Sequence, residues 1–270
     1  MGSRCLECSV QGISIRSNVD WPSQRSKSAS QSSIFDIRHS PFDIPLVCGR
    51  FSQAQIAELD REIFKLLSLP PLPVRYNVAP TQDAAAVRES AKTGRRILGG
   101  LRWGLIPSWA KVPAIGNRMI NARAETVATK PSFEAAFKHR RCLIPADGFY
   151  EWKKTGSRKQ PYYIGRGDGD VFAFAGLWER WSDEGHEPIE TFTIITTRPN
   201  EILEPIHDRM PVILPVEHYD EWLDPDNRNT ETLRALLEPF PAAEMSARPV
   251  TTYVNSTHNE GPECVHPLDP

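Results

Sequence analysis

The sequence predicts an α+β fold: a single domain around a curled, largely antiparallel β-sheet with a few peripheral helices. Three observations lead there. Six short segments, "RILGGLRWGLIP", "RRCLIPADGFYEW", "QPYYIG", "VFAFAGLWERW", "TFTIITT" and "RMPVIL", are rich in β-branched and aromatic residues and are broken by glycine and proline. Helical periodicity is confined to a few stretches. No repeat period runs through the chain, and its 24 prolines are suited to shaping loops between short strands.

Taken in order, residues 1–47 form a serine-rich leader, with "SNVDWPSQRSKSASQSS" showing neither helical nor strand period. The texture changes at Cys48. "SQAQIAELDREIFKLL" (52–67) opens on a serine suited to N-capping and places Ile56, Leu59, Ile63, Phe64, Leu66 and Leu67 mostly on one helical face, which predicts a helix stopped by "LPPLP". The six strand segments follow. Between and after them, "SFEAAFKH" behind Pro131, "VEHYDEWL" and "TETLRALLEPF" read as short helices. No linker divides 48–270, so this stretch is expected to be one domain and 1–47 a disordered leader.

Size and charge narrow the function. A chain of 270 residues, 40% hydrophobic, buries a proper core without staples, and its five cysteines (Cys5, Cys8, Cys48, Cys142, Cys264) are expected to be reduced. Cys5-Leu6-Glu7-Cys8 has zinc-ligand spacing but no second pair, and the seven histidines are scattered, so neither metal nor cofactor is expected. Cys142, in the apolar "RCLIP" stretch, is expected to be a buried small hydrophobe. A net charge of −2 argues against indiscriminate coating of nucleic acid, while leaving room for a local basic cleft. No apolar run reaches the ~18 residues of a membrane span, and the first 30 residues lack a secretory core, which points to a cytoplasmic protein.

The distinctive polar residues fall in loops beside apolar strands, where sites are usually built. "CGRF", "YNVAPTQ", "RWGLIPSW", "NARAET", "RRCLIPADGFYEW", "FAGLWE", "TIITT", "HDRMPVIL" and "VNSTHNEGPECV" follow one another between Cys48 and Val265. In this order they resemble the SRAP family (SOS response-associated peptidase), over essentially all of 48–270. The resemblance implies a protein of the DNA damage response that recognises abasic sites in single-stranded DNA and becomes covalently linked to them, working as a monomer without cofactor.

By this resemblance Cys48 is the nucleophile, Glu151 the proton-transfer carboxylate, His207 the group that assists opening of the sugar ring, and Asn121 the amide that orients the reacting groups. Arg50, Arg123 and Arg209 match positions that hold the DNA backbone, where a guanidinium fork suits phosphate. Trp103 and Trp109 are candidates for an apolar wedge where bases unstack, with Lys111, Arg118 and Lys130 extending a basic strip. Read without the family, Glu151 is by preference a strand-end surface residue, His207 beside Asp208 a structural hydrogen-bonding group, Asn121 a loop or turn residue, the arginines ordinary surface cations, and the two tryptophans at least as often core packing. Its setting among Phe149, Tyr150 and Trp152 predicts that burial raises the pKa of Glu151.

The implied chemistry uses an N-terminal cysteine, a 1,2-aminothiol whose amine condenses with the aldehyde of an opened abasic sugar and whose thiol closes a thiazolidine ring. In this chain Val47 precedes Cys48, so that nitrogen is an amide and forms no imine. Three readings follow: a start codon placed too early, since the GTG codon of valine also initiates translation; cleavage after Val47; or a chain that has lost cross-linking and only binds DNA. Two further function classes stay open, a thiol peptidase built on Cys48 and His207 and a non-catalytic reader of single-stranded DNA.

Overall fold

The computed structural model describes residues 48–90, 93–185 and 187–268; the leader, with Cys5 and Cys8, lies outside the described residues. The strands are β1 (Arg50–Gln53), β2 (Arg75–Val78), β3 (Asp83–Glu89), β4 (Arg96–Trp103), β5 (Asn121–Arg123), β6 (Arg141–Ala146), β7 (Gly148–Thr155), β8 (Arg158–Arg166), β9 (Phe172–Trp181), β10 (Ile189–Thr197), β11 (Met210–Pro211), β12 (Ile213–Leu214) and β13 (Met245–Pro249). The helices are α1 (Glu134–His139), α2 (Tyr219–Leu223) and α3 (Thr230–Ala235). Strands dominate, as composition predicts, and the anticipated segments all contain strands.

The curl is a closed ring. Antiparallel pairings run β4–β3–β6–β9–β10, and β10 then pairs in parallel with β4 through Thr191 opposite Arg102 and Phe192 opposite Trp103. Closure removes the open edges that a five-stranded sheet would otherwise present. Against this barrel lies a second, fully antiparallel sheet in the order β13-β8-β7-β1-β2. The segment "RRCLIPADGFYEW" crosses from one to the other, β6 in the barrel and β7 in the second sheet, with Asp147 at the corner. Its carboxylate accepts hydrogen bonds from the Ser52 and Tyr163 hydroxyls at 2.8 and 2.9 Å and from the Ala54 amide at 2.7 Å. A buried acid with these partners fixes the angle between the sheets.

Period-two alternation separates two cores. Ala85, Val87, Leu143, Ala173, Ala175 and Leu177 face a layer made with Phe137 of α1, Tyr219 and Trp222 of α2 and Leu233 of α3. Ala84, Ala86, Cys142, Ile144 and Phe174, the alternate positions, pack with Phe51, Phe149 and Ile164 of the second sheet. Cys142 is buried there as expected. Helix α3 is capped by Asn229, whose side chain accepts from the Glu231 and Thr232 amides.

The helix expected over 52–67 does not form. Ser52 and Gln53 belong to β1, a single 3-10 turn covers Ile56–Glu58, and Lys65 adopts a positive φ of 52°. Tertiary partners account for this. The Gln53 amide donates to the Ala85 and Pro145 carbonyls and accepts from the Ala85 amide, which ties β1 to β3 and β6. Ser52 binds Asp147 instead of capping a helix. Ile56, Leu59, Phe64 and Leu66 are nevertheless buried, whereas Ile63 and Leu67 are exposed, so four of the six expected apolar residues reach the core on a backbone that is not helical. None of the helices among the described residues is long and apolar enough to cross a membrane.

Candidate functional site

Strand β1 sets the position of Cys48. It pairs with β7 through Arg50 opposite Tyr150, and the same register carried outward sets Gly49 level with Glu151 and leaves Cys48, two residues before the strand, within reach of that carboxyl. The Cys48 backbone nitrogen donates to Glu151 Oε1 at 2.5 Å. Cys48 holds a φ of 43°, a left-handed conformation costly for a residue with a Cβ, and that strain is sustained by its enclosure. Both side chains are buried.

The electrostatics follow from that burial. Glu151 has its pKa pushed up to about 8, first by desolvation and further by the charge of Asp208, against the pull of hydrogen bonds from the Cys48 and Trp152 amides. The Cys48 thiol is raised well above its ordinary value by burial and by the neighbouring Glu151. His207, half-buried, is lowered by desolvation, while Asp208 at 3.0 Å from its Nδ1 works the other way. Near neutral pH the set is therefore a protonated carboxyl, a protonated thiol and a neutral imidazole. The carboxyl pKa expected from the aromatic neighbours of Glu151 is found, and burial is its cause.

Strand β10 gathers the other groups. Its end pairs in parallel with β5, Ile194 opposite Asn121 and Thr196 opposite Arg123, and on its other edge with β11, Thr197 opposite Met210. Asn121 and Arg123 thus flank β10 on one side, and the His207–Arg209 segment on the other. Ile120 and Met210, the neighbours of Asn121 and Arg209, pack in the same cluster as Cys48. Asp208 reaches Glu151 electrostatically. The structure therefore brings Cys48 and Glu151 into contact and draws Asn121 and His207 to the same end of the barrel.

The candidate DNA contacts divide. Arg123 and Trp109 are exposed, Trp109 at 58%. Lys111, Arg118 and Lys130 are exposed as well. Arg209 is half-buried; its fork grips Glu125 at 2.6 and 2.9 Å, and Nη2 also donates to the Thr196 carbonyl. Arg50 is buried and gives its donors to Asn77 Oδ1 and to the carbonyls of Val254 and Asn255, so in this state its guanidinium is a structural clamp. Trp103 requires a correction. It is fully buried, stacks on Phe192, meets Phe51 edge-on and donates its Nε1 proton to the Ile120 carbonyl, leaving no face for a base.

Asn77 is the residue whose part sequence reasoning missed. From β2 its amide donates to the carbonyls of Ser256 and Asn259 at 2.9 Å and of Val254 at 3.3 Å, while its oxygen accepts from Arg50. Trp152 adds a bond from Nε1 to Asn255 Oδ1. Together they fasten the "VNSTHNEGPE" loop beside Glu151. The available signal was an asparagine in the middle of a strand, a position it disfavours unless its amide is employed.

Comparison with known proteins agrees with this geometry. The model of the family "SOS response associated peptidase (SRAP)" matches residues 47–257 and so begins one residue before Cys48. The chain is 46% identical over 223 residues to the abasic site processing protein YoqW of Bacillus subtilis, covering 81% of this chain and 99% of that protein. It is 34% identical over 229 residues to the abasic site processing protein YedK of Escherichia coli, covering 82% of this chain and all of that one. A crystal structure of a protein from Bacteroides thetaiotaomicron superposes with a TM-score of 0.70 at 30% identity, covering 82% of this chain and all of the other. The chain belongs to the SRAP family.

Proposed function

We propose that this protein processes abasic sites in single-stranded DNA by covalent capture on Cys48. The observation that carries the proposal is the 2.5 Å contact between the Cys48 nitrogen and a buried Glu151 carboxyl. An α-amine at that nitrogen titrates at about 7.7–8.0, close to the value of about 8 that burial gives Glu151, so a proton passes between them with little driving force either way. An ammonium in place of the amide would also draw the carboxyl pKa down, which favours the pair sharing one proton.

In the proposed sequence the neutral amine adds to the aldehyde carbon of the opened sugar. Glu151 protonates the carbinolamine hydroxyl, which leaves as water, and the imine forms. The Cys48 thiol then adds to the imine carbon, giving up its proton as the nitrogen gains one, and the five-membered ring closes. Amine and thiol belong to one residue, so closure is intramolecular and its effective molarity is high. Neutral His207 suits proton exchange at the sugar oxygens during ring opening. Asn121 orients the reacting groups through its amide, and exposed Arg123 and Trp109 hold the strand.

The electrostatics favour capture over thiol peptidase chemistry. A peptidase of that kind needs a thiolate beside an imidazolium. Here burial drives the thiol up and the imidazole down, opposite to both requirements. Capture further requires residues 1–47 to be absent, by initiation at position 47 or by cleavage after it. That the family model begins its match at residue 47 supports such a boundary.

The test uses a chain beginning Met-Cys48 and an oligonucleotide with one abasic site. After nuclease and protease digestion, peptide mass mapping is expected to place the sugar remnant on Cys48. Cys48→Ala is expected to abolish the adduct while leaving DNA affinity within about threefold. Full cross-linking by Cys48→Ala, or a remnant mapped to a lysine, defeats the assignment.

A further inference from the structure

The strand that carries Glu151 runs on into a hairpin of unusual charge. Between Glu151 and Asp168 there is no acidic residue, while Lys153, Lys154, Arg158 and Lys159 crowd around the Gly156-Ser157 turn. Lys154, Arg158 and Lys159 are exposed and Lys153 is half-buried. Lys154 stands directly opposite Lys159 in the β7–β8 register, an arrangement that destabilises a hairpin. Lys153 and Arg158 project from the other face of the ribbon, the face of Glu151.

These four cations form no ion pair among the described residues. Some cations elsewhere do hold a carboxylate, Arg75, Arg88, Arg96, Lys138 and Arg140 among them, and what sets the hairpin apart is that four cations without one stand together around a single turn. The net charge of −2 makes the hairpin a local concentration rather than part of a generally basic surface. It also adjoins the site. Lys154 lies three residues beyond Glu151, about 10 Å along the strand. The positive charge of Lys159 is felt at His207.

From the unpaired Lys154–Lys159 couple and the continuity of β7 with Glu151, we infer that the β7–β8 hairpin tip is a backbone-binding prong for the nucleic-acid strand whose reacting sugar sits at Cys48. The partner chemistry is the phosphodiester, recognised by point charges without base readout. The like-charge couple, unfavourable in the free protein, becomes favourable when phosphates lie between the two ammonium groups. This rests on the abasic-DNA reading for the identity of the strand, and the test separates the two.

Binding of the full chain to a fluorescent single-stranded oligonucleotide, with and without an abasic site, is followed by anisotropy from 50 to 200 mM salt. The K154Q/K159Q double variant is expected to lower the slope of log K against log salt by about 1.4, and the variant with all four changed to glutamine by about 2.8, from roughly 0.7 per lost single-strand contact. Affinity at 50 mM salt falls at least tenfold in the quadruple variant and converges with the wild type at high salt. Lys138→Gln, on another surface, is expected to leave the slope alone, and unchanged melting curves show the variants folded. Slopes equal to wild type, or an equal fall for Lys138→Gln, overturn the inference. If no covalent adduct forms in the Met-Cys48 chain yet the hairpin variants lose slope, the capture reading fails and the prong stands. If adducts form and the slopes do not move, the reverse holds.

Discussion

Glu151 joins stability to chemistry at the scale of one residue. In the unfolded chain its carboxyl titrates near 4.3, roughly, whereas in the fold burial holds it at about 8. Between those values the folded protein keeps a proton that the unfolded chain has released. The contribution of Glu151 to stability is therefore complete below about pH 4.3, declines as pH rises and is gone above about 8. Glu151→Gln removes this slope. Urea unfolding at pH 5 and pH 8 is expected to show the variant gaining on the wild type as pH rises, by at most about 1.4 kcal/mol per pH unit over that window. Parallel pH profiles for the two proteins would show that the carboxyl is ionised in the fold. The two tryptophans mark the limit of reading single residues. Trp103 and Trp109 share one glycine- and proline-punctuated stretch of sequence, yet one is enclosed and the other is 58% exposed. The difference comes from β4 reaching to Trp103 and ending there, so that Trp103 packs on Phe192 and Trp109 follows in the loop beyond. Pairing of β4 with β10 decides it, and no local pattern announces that pairing.

Elements show where local patterns suffice and where they fail. The strands with strong β-branched or aromatic content, β6 through β10, were legible because composition and burial agree. So were the three helices, each short and amphipathic. Strand β3 was not: Ala84, Ala85 and Ala86 have low strand propensity, and the strand is held by its partners, β4 and β6 on its two sides and the Gln53 side chain on Ala85, with Ala85 and Ala86 opposite Gly100 and Gly99. The false helix over 52–67 arose from the opposite error, an apolar period of about 3.6 residues in a segment held by Gln53 and Asp147. At this scale Asn77 makes the sharpest case, since it sits in β2 while its effect falls on a loop more than 170 residues away. Asn77→Ala leaves the Ser256 and Asn259 carbonyls without this donor, while Val254 keeps its bond from Arg50, and is expected to destabilise the protein by about 2–4 kcal/mol. Limited proteolysis is expected to nick the variant within 252–260 before any other site. Wild-type stability with an intact loop would mean the clamp is made by Arg50 and Trp152 alone.

Across the whole molecule, the candidate site is a place where three separate stretches of chain meet: the start of β1, the middle of β7, and the end of β10 with its two flanking short strands. Sequence order showed the motifs, and family resemblance said which residues belong together. What the sequence did not show is the means: a closed barrel through the parallel β10–β4 pairing, a second sheet turned at Asp147, and a carboxyl made basic by enclosure. The arginines expected to contact DNA were legible as residue types only, since buried Arg50 and Glu125-bound Arg209 look no different in sequence from exposed Arg123. The same scale governs the central claim, because capture depends on whether the domain starts at Cys48 or carries 47 residues ahead of it. The most direct measurement is a denaturing gel of a single-stranded oligonucleotide with one abasic site, incubated with the 270-residue chain and, in parallel, with a chain beginning Met-Cys48. The account predicts a heat- and detergent-resistant shifted band with the shorter chain and none with an uncleaved longer one. No shifted band with either chain would contradict it, leaving a DNA-binding protein with the family fold and no covalent chemistry.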